Sequence, residues 1–177
     1  HEVSDLASVF CSRHGDLHRT ADLLLLLTKQ EALSPTKFSQ SVYNTASGLY
    51  SIQQGNTQAS TVVTCGASSL AMAFMEAYSQ SVVKQQPVLL VYADEPLPEL
   101  YAEFSDEQQA AIAFACVLSA ESPQWRCQLT QTSHAHPLAQ AQDLATQVVQ
   151  GLESEAEAFT CQGGDLTWSW SKADAKR

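Results

Sequence analysis

The sequence predicts a layered α/β domain built on a mixed β-sheet. Short apolar runs of strand length alternate with longer segments in which apolar residues recur at helical spacing. The run PVLLVYA at 87–93 is apolar throughout, which is typical of a strand covered on both faces. The last third instead alternates polar and apolar residues, which is typical of a strand with one polar face. The 177 residues suffice for one hydrophobic core, so we assign 1–177 to a single domain.

The first half predicts two strands and three helices. ASVFCSR at 7–13 forms a short buried strand, and Asp16 follows a turn and caps a helix over 17–28. After a loop at Ser34-Pro35, helical spacing over 41–54 ends at Gly55-Asn56. The β-branched stretch 61–65 is a strand. The next helix, 67–82, is small or apolar nearly all round over 67–78, so we expect it to be buried on every side.

The second half predicts four strands and one helix. In order, these are strands at 87–93, 110–118 and 125–130, a helix over 138–152 and a strand at 166–171. The run 110–118 is continuously apolar and is expected to be covered on both faces, like 87–93. Trp168 and Trp170 lie on one face of the last strand, as core or interface residues. The loop 94–109 is acidic and contains prolines, and we expect it to be the mobile surface.

Charge and hydropathy exclude several classes of partner. The net charge of −10 argues against nucleic acid and anionic membranes, which need clustered Lys and Arg. It also disfavours direct capture of an acidic carrier protein, unless a partner chain supplies a basic surface. The apolar run 23–27 is far shorter than the roughly 20 residues of a membrane span, and no signal peptide is recognisable. The chain starts at His1, which suggests a fragment or a trimmed sequence.

The five cysteines predict neither disulfides nor a metal site. Their number is odd, and no CxxC or Cys/His cluster has zinc spacing. We interpret them as small buried hydrophobes in a reducing cytoplasm. His134 and His136 have strand-like spacing, but no third ligand is evident, so an exposed loop is the better interpretation. We expect no cofactor.

The segment 34–70 carries a family resemblance. SPTKFSQSVYNTASG at 34–48 resembles the Ser-Pro, Phe-Ser, Ser-Val and Asn-Ala-Ala-Gly pattern of β-ketoacyl synthases, and Ser68-Ser69-Leu70 resembles the end of their Cys-Ser-Ser-Ser-Leu motif. These are thiolase-fold enzymes of fatty acid and polyketide synthesis. The match is closer to a short ketosynthase-like subgroup of aryl polyene-type clusters and covers roughly 8–118. Further matching motifs are SRHGD (12–16), GNTQAST (55–61), FMEA (74–77) and VYADEPLP (91–98).

Two departures from the family pattern affect function, and a third, at Tyr43, is smaller. Anchored on Ser68-Ser69-Leu70, the nucleophilic cysteine of the family falls on Gly66, and Cys65 lies one residue earlier. An ordinary ketosynthase has a second half that brings a pair of catalytic histidines, and this chain has no such half. Tyr43 stands where the subgroup usually has His. The resemblance therefore implies a thiolase-like half-ketosynthase unit without its nucleophile.

The residues that could act in place of the missing cysteine can also be explained by structural roles. The family thiolate sits at a helix N-terminus, which lowers the thiol pKa. Strand alternation is expected to aim Cys65 into the sheet as a core residue. Ser68 and Ser69 lack the G-x-S-x-G pattern, and helix capping is the better account of them. His14 follows a strand end and could reach a pocket, although a turn histidine is the commoner case.

The resemblance implies a non-catalytic partner of an active ketosynthase, of the kind called a chain-length factor. The partner would supply cysteine, histidines and carrier-protein docking, and strand 61–65 would pair across the dimer dyad. The residues to which we assign structural or interface roles are Asn44, Gly48, Val63, Phe74 and Met75, the last two facing a shared tunnel. One alternative is an acyl-thioester hydrolase or acyltransferase that uses Cys65 or a serine. Another is a homodimeric acyl-binding scaffold.

Overall fold

The computed structural model describes residues 3–106, 108–121, 124–131, 142–163 and 166–173. The first sheet has the strand order β2-β1-β3-β4. Its strands are β1 (Ala7–Cys11), β2 (Ser60–Val63), β3 (Val88–Asp94) and β4 (Ile112–Leu118). β1 runs parallel to β2 and β3, and β4 runs antiparallel to β3, which confirms a mixed sheet. The carboxyl ends of β1, β2 and β3 therefore meet at one edge of the sheet.

The helices begin and end where local chemistry allows. They are α1 (Leu17–Thr28), α2 (Pro35–Ser39), α3 (Thr45–Gln54), α4 (Ser69–Lys84) and α5 (Leu144–Glu153), with 3-10 turns at Val3–Asp5, Gly66–Ser68 and Glu99–Phe104. Asp16 caps α1, because its carboxylate accepts the backbone N–H of Arg19 at 2.9 Å. α3 ends at Gly55, whose φ of 62° is in the left-handed region that favours glycine. Both ends were predicted from the sequence.

α3 and α4 pack on opposite faces of the first sheet. On the inner face, Ala73 and Ala77 of α4 are fully buried and let the helix lie close to Val9 and Leu90 in the core. On the outer face, the Tyr50 ring of α3 lies 5.5 Å from the ring of Phe10, centroid to centroid. Both helices contact β2, which is an edge strand of the described sheet.

A second, antiparallel sheet closes the core on the far side of α4. Its strands β5 (Trp125–Gln131), β6 (Ala158–Gly163) and β7 (Leu166–Lys172) have the order β5-β7-β6. Trp168 and Trp170 are buried, and the Phe74 ring of α4 lies 5.9 and 5.4 Å from theirs. α4 and α5 thus lie between two sheets, and the expected core role of the tryptophans is confirmed.

Several sequence expectations were wrong in detail. β4 alternates inward and exposed residues, with Val117 half exposed, because it is an edge strand covered on one face only. α4 is not buried on every side, since Met75 and Tyr78 are both about half exposed, at 51% and 53%. The predicted 41–54 helix begins only at Thr45, as α3, and the short helix α2 occupies 35–39, where a loop was expected. The sequence reasoning missed β6, and part of the 138–152 helix lies outside the described residues.

The cysteines do not share one environment. Cys11 and Cys161 are buried, and burial raises their pKa values to about 12 and about 11, so both are inert thiols. Cys116 is half buried. Cys65 and Cys127 are exposed, so the expectation of five buried cysteines was wrong. All five are free thiols.

Candidate functional site

The candidate site lies at the edge where β1, β2 and β3 end. The turn 12–16 follows β1, the turn 64–68 follows β2, and Asp94 ends β3. The first two turns touch, since the Thr64 hydroxyl lies 3.4 Å from the carbonyl oxygen of Arg13. In open α/β sheets, this carboxyl edge is where ligands and reacting groups gather.

Gly66 forms the apex of the turn between β2 and α4. Its φ of 56° lies in the left-handed region, in which a side chain costs about 1–2 kcal/mol. A Cβ placed on Gly66 would meet nothing within 4 Å. The apex is therefore open and exposed, and it carries no side chain that could attack an acyl thioester.

Ser69 holds this turn together. Its hydroxyl accepts the backbone N–H of Cys65 at 2.7 Å and donates to the carbonyl oxygen of Gly66 at 2.7 Å. The residue is only 1% exposed, so these bonds are made away from water. The Cys65 N–H is thereby occupied and is not available to stabilise an oxyanion. Ser69 is a structural residue, as the sequence indicated.

Cys65 is exposed instead of packed in the core. The expectation relied on strand alternation, but β2 ends at Val63, so the alternation does not extend to Cys65. The Cys65 thiol is accessible at the site, one residue before the apex. Ser68 is half buried, and its side chain does not cap α4.

His14 is bonded away from both nucleophile candidates. Its backbone N–H donates to Asp94 Oδ1 at 3.2 Å, and its ring Nε2 lies 3.1 Å from the amide nitrogen of Gln109. Burial lowers the pKa of His14, and the carboxylate of Asp94 partly opposes that shift. A neutral histidine held by Gln109 is not arranged as a base for Cys65 or Ser68.

Asp94 is the residue that sequence reasoning missed. Its carboxylate accepts from the Ser12 hydroxyl at 2.8 Å and from the His14 N–H, and the Tyr92 hydroxyl lies 3.5 Å away. It therefore joins the ends of β1 and β3. An acidic residue directly after a continuous apolar strand was the available signal, because a charge there must lie at the sheet edge.

The residues predicted to have structural or interface roles fall in two places. Asn44 is the exposed residue before α3, its side chain makes no cap bond, and Gly48 is exposed within α3, where a Cβ would meet nothing within 4 Å. Met75 is half exposed on α4. Val63 and Phe74 are partly buried and pack against the core. Tyr43 lies against Gly15, beside His14.

No three His, Cys, Asp or Glu side chains of the described residues are grouped as metal ligands. His134 and His136 lie outside those residues. No described helix has both the length and the apolar character needed to cross a membrane.

One concavity of about 670 Å³ lies away from this edge, on the second sheet. Its lining comes from three neighbouring strands and includes Arg126, Gln128, Thr160, Ser169 and Ser171. Most are polar positions on the solvent-facing side of β6 and β7, whose other positions include the buried Cys161, Trp168 and Trp170, and of the exposed strand β5. A half-solvated antiparallel sheet has this pattern. Cys127 also lines the concavity, but burial raises the pKa of its thiol to about 12, and no His of the described residues lines the concavity as a base. We place the functional site at the Gly66 edge.

Comparison with known proteins agrees with this geometry. The family described as "Beta-ketoacyl synthase, N-terminal domain" matches residues 1–171. Among solved structures, one chain of the complex between the ketosynthase ApeO and its chain length factor ApeC from Xenorhabdus doucetiae matches with a TM-score of 0.85. The two sequences are 26% identical, and the match covers 95% of this chain and 70% of that chain. No curated protein sequence matches significantly. The fold is thiolase-like, and the chain belongs to the β-ketoacyl synthase N-terminal domain family.

Proposed function

We propose that this chain is a non-catalytic ketosynthase-like subunit that pairs with an active ketosynthase. One observation carries the proposal: the apex of the β2–α4 turn is Gly66, which leaves the ketosynthase-like site without a nucleophile. The surrounding scaffold is kept, including the Ser69 bonds that fix the turn. A preserved turn without its reactive group suits a subunit whose shape matters and whose chemistry is done elsewhere.

The surface around β2 supports pairing. Among the described strands β2 is an edge strand, and α3 and α4 flank it on opposite faces of the sheet. Both helices expose large apolar side chains: Leu49, Ile52, Met75, Tyr78 and Val83. Ile52 and Val83 are 79% and 82% exposed. An edge strand between apolar surfaces is a site for pairing with another chain.

The solved complex supports the identity of the partner. A chain of that complex is similar to this one, and the complex joins a ketosynthase to its chain length factor. We assign this chain the chain-length-factor role, in polyketide, aryl polyene or fatty-acid-like synthesis in the cytoplasm. The ketosynthase would supply cysteine and histidines. It would also dock the acyl carrier protein, because this chain has a net charge of −10.

The test is coexpression with a ketosynthase from the same genome, followed by light scattering of the purified material. A one-to-one complex that condenses acyl thioesters, while this chain alone does not, supports the proposal. A stable homodimer that ignores the ketosynthase would instead support the acyl-binding scaffold. Val63→Asp is expected to abolish the complex. Because Val63 also packs against the core, Val63→Asp tests folding and pairing together.

The exposed thiol of Cys65 favours one alternative, an acyl-thioester hydrolase or acyltransferase. In that reaction the thiolate attacks the thioester carbonyl, and a thiol leaves. Incubation of the purified chain with a reactive acyl thioester, followed by intact mass and peptide mapping, distinguishes the two. A stoichiometric adduct at Cys65 that turns over contradicts the non-catalytic role. A mass that stays unmodified supports the non-catalytic role.

A further inference from the structure

The acidic segment 95–109 is fastened to the turn after β1. The Arg13 guanidinium contacts both carboxylate oxygens of Asp106, at 2.7 and 2.6 Å. The His18 ring Nε2 lies 2.9 Å from the carbonyl oxygen of Pro96. The His14 ring Nε2 lies 3.1 Å from the amide nitrogen of Gln109. The described part of the loop 94–109, which composition predicted to be mobile, thus has contacts at Pro96, Asp106 and Gln109.

The orientation of the Gln109 amide selects the tautomer of the neutral His14 ring. The amide oxygen of Gln109 accepts the backbone N–H of Leu97 at 2.8 Å. The opposite orientation of the amide would place its NH₂ group against that N–H, donor against donor. The NH₂ group therefore faces His14, and it can only donate. His14 Nε2 must be the acceptor, so the ring is the neutral Nδ1–H tautomer.

The geometry points to a proton-operated latch: neutral His14 fastens the Gln109 end of the 95–109 segment, and protonation of His14 releases that end. An imidazolium carries a hydrogen on Nε2, which would face the Gln109 NH₂ group and break the contact. The latch lies beside the Gly66 turn, since Thr64 touches Arg13. The segment also carries Leu100 and Phe104, which are exposed at 56% and 66%. Both lie between Pro96 and Asp106, whose own contacts hold that part of the segment.

Charges around His14 set the direction of the effect. Burial is the largest influence and lowers the pKa from its ordinary value of 6.5. The carboxylates of Asp94 on β3 and Asp106 on the segment raise the pKa, and the Arg13 guanidinium lowers it. The folded pKa lies below the unfolded one. The stabilisation by the latch is therefore complete above pH 6.5 and is lost as the pH falls through the lowered pKa of His14.

The other two fastenings do not share this response. His18 faces a carbonyl oxygen, so a protonated His18 ring still donates to it. Arg13 stays charged, and its contact with Asp106 persists while that carboxylate is ionised. Release is thus expected at the Gln109 end of the segment.

Two variants and two measurements test the latch. His14→Gln keeps an acceptor oxygen near the position of Nε2 but does not titrate. Gln109→Glu replaces the NH₂ group by an oxygen that accepts from a protonated ring. The ¹⁵N shifts of the His14 ring report its tautomer and pKa. Hydrogen-exchange protection factors, which are corrected for intrinsic pH effects, report opening of 95–109, with α4 as the internal reference.

The latch predicts the Nδ1–H tautomer and about a fivefold loss of protection in 95–109 on protonation of His14, the effect of one hydrogen bond. His14→Gln should abolish the pH dependence, and Gln109→Glu should raise the pKa of His14. An Nε2–H tautomer, or equal protection of 95–109 above and below the pKa of His14, would overturn the proposal. If acid unfolds the whole chain, α4 loses protection too. The ring shifts of His14 near neutral pH then decide: a larger protonated fraction in Gln109→Glu than in the parent chain supports the latch, and an equal fraction overturns it.

Discussion

The hydroxyl of Ser69 accepts the backbone N–H of Cys65 at 2.7 Å, across the turn whose apex is Gly66. The same hydroxyl donates to the carbonyl oxygen of Gly66. The turn is therefore held by a buried side chain whose hydroxyl is already engaged in two bonds to the backbone. Both bonds use backbone groups of residues 65 and 66, so neither requires a side chain at residue 66.

Ser69→Ala should destabilise the chain by about 1–3 kcal/mol, the cost of leaving buried polar groups without partners. The substitution removes both bonds at once and leaves the N–H of Cys65 and the carbonyl of Gly66 without this partner. Urea unfolding measures the change in free energy. Ser68→Ala is the matched control, because the Ser68 side chain makes no cap bond, and its effect should stay within about 0.5 kcal/mol. Equal effects of the two substitutions would contradict the role of Ser69.

The sequence was informative where local rules decide the structure. Apolar runs predicted the positions of β1 and β3, and Asp16 and Gly55 predicted helix ends. Both signals are local, because burial and capping are encoded in residues that are close together in the sequence. Residue 65 was misplaced because alternation was extended past the end of β2. The Asp94 contacts with Ser12 and His14 join residues about 80 positions apart, at separations of 82 and 80. No local pattern encodes such a contact, so only the folded sheet brings these groups together.

Gly66→Cys in a Cys65→Ser background should restore an acylatable thiol at the apex. Nothing lies within 4 Å of the added Cβ, so space is available, although the positive φ should cost about 1–2 kcal/mol. At the N-terminal end of the helical segment, the new thiol should have a lowered pKa and should react with acyl thioesters faster than Cys65 does in the parent chain. Intact mass against time, with peptide mapping, measures both rates. Reaction at Cys65 as fast as at position 66 would indicate that the apex offers no activation.

Ile52→Asp should prevent pairing with the ketosynthase and leave the isolated chain folded. The side chain is 79% exposed on α3, so its loss should change the free energy of unfolding by less than about 0.5 kcal/mol. A carboxylate buried without a partner in an apolar interface would be far more costly. Light scattering of the coexpressed chains measures the complex, and thermal unfolding of the chain alone measures its stability.

The matched control is Leu27→Asp, on α1, away from β2. Leu27 is 54% exposed, so it tests an exposed apolar residue on a different helix. The complex should survive that substitution. If Ile52→Asp leaves the complex intact while Leu27→Asp breaks it, the interface lies on the α1 side and the placement at β2 is wrong.

Gly48→Ala should act in opposite directions on the isolated chain and on the complex. Within α3, Ala is favoured over Gly by about 0.8–1 kcal/mol, and the added Cβ meets nothing within 4 Å, so the isolated chain should become more stable. If α3 approaches a partner backbone closely at Gly48, the same methyl group should weaken the complex.

Gly151→Ala in α5 is the comparison variant. Its Cβ would strike the Phe159 ring, so the isolated chain should lose stability despite the same gain in helix propensity. Unfolding of each variant alone, followed by titration with the ketosynthase, separates the two effects. A complex that gains the full stability of the Gly48→Ala chain would mean that α3 faces solvent in the assembly.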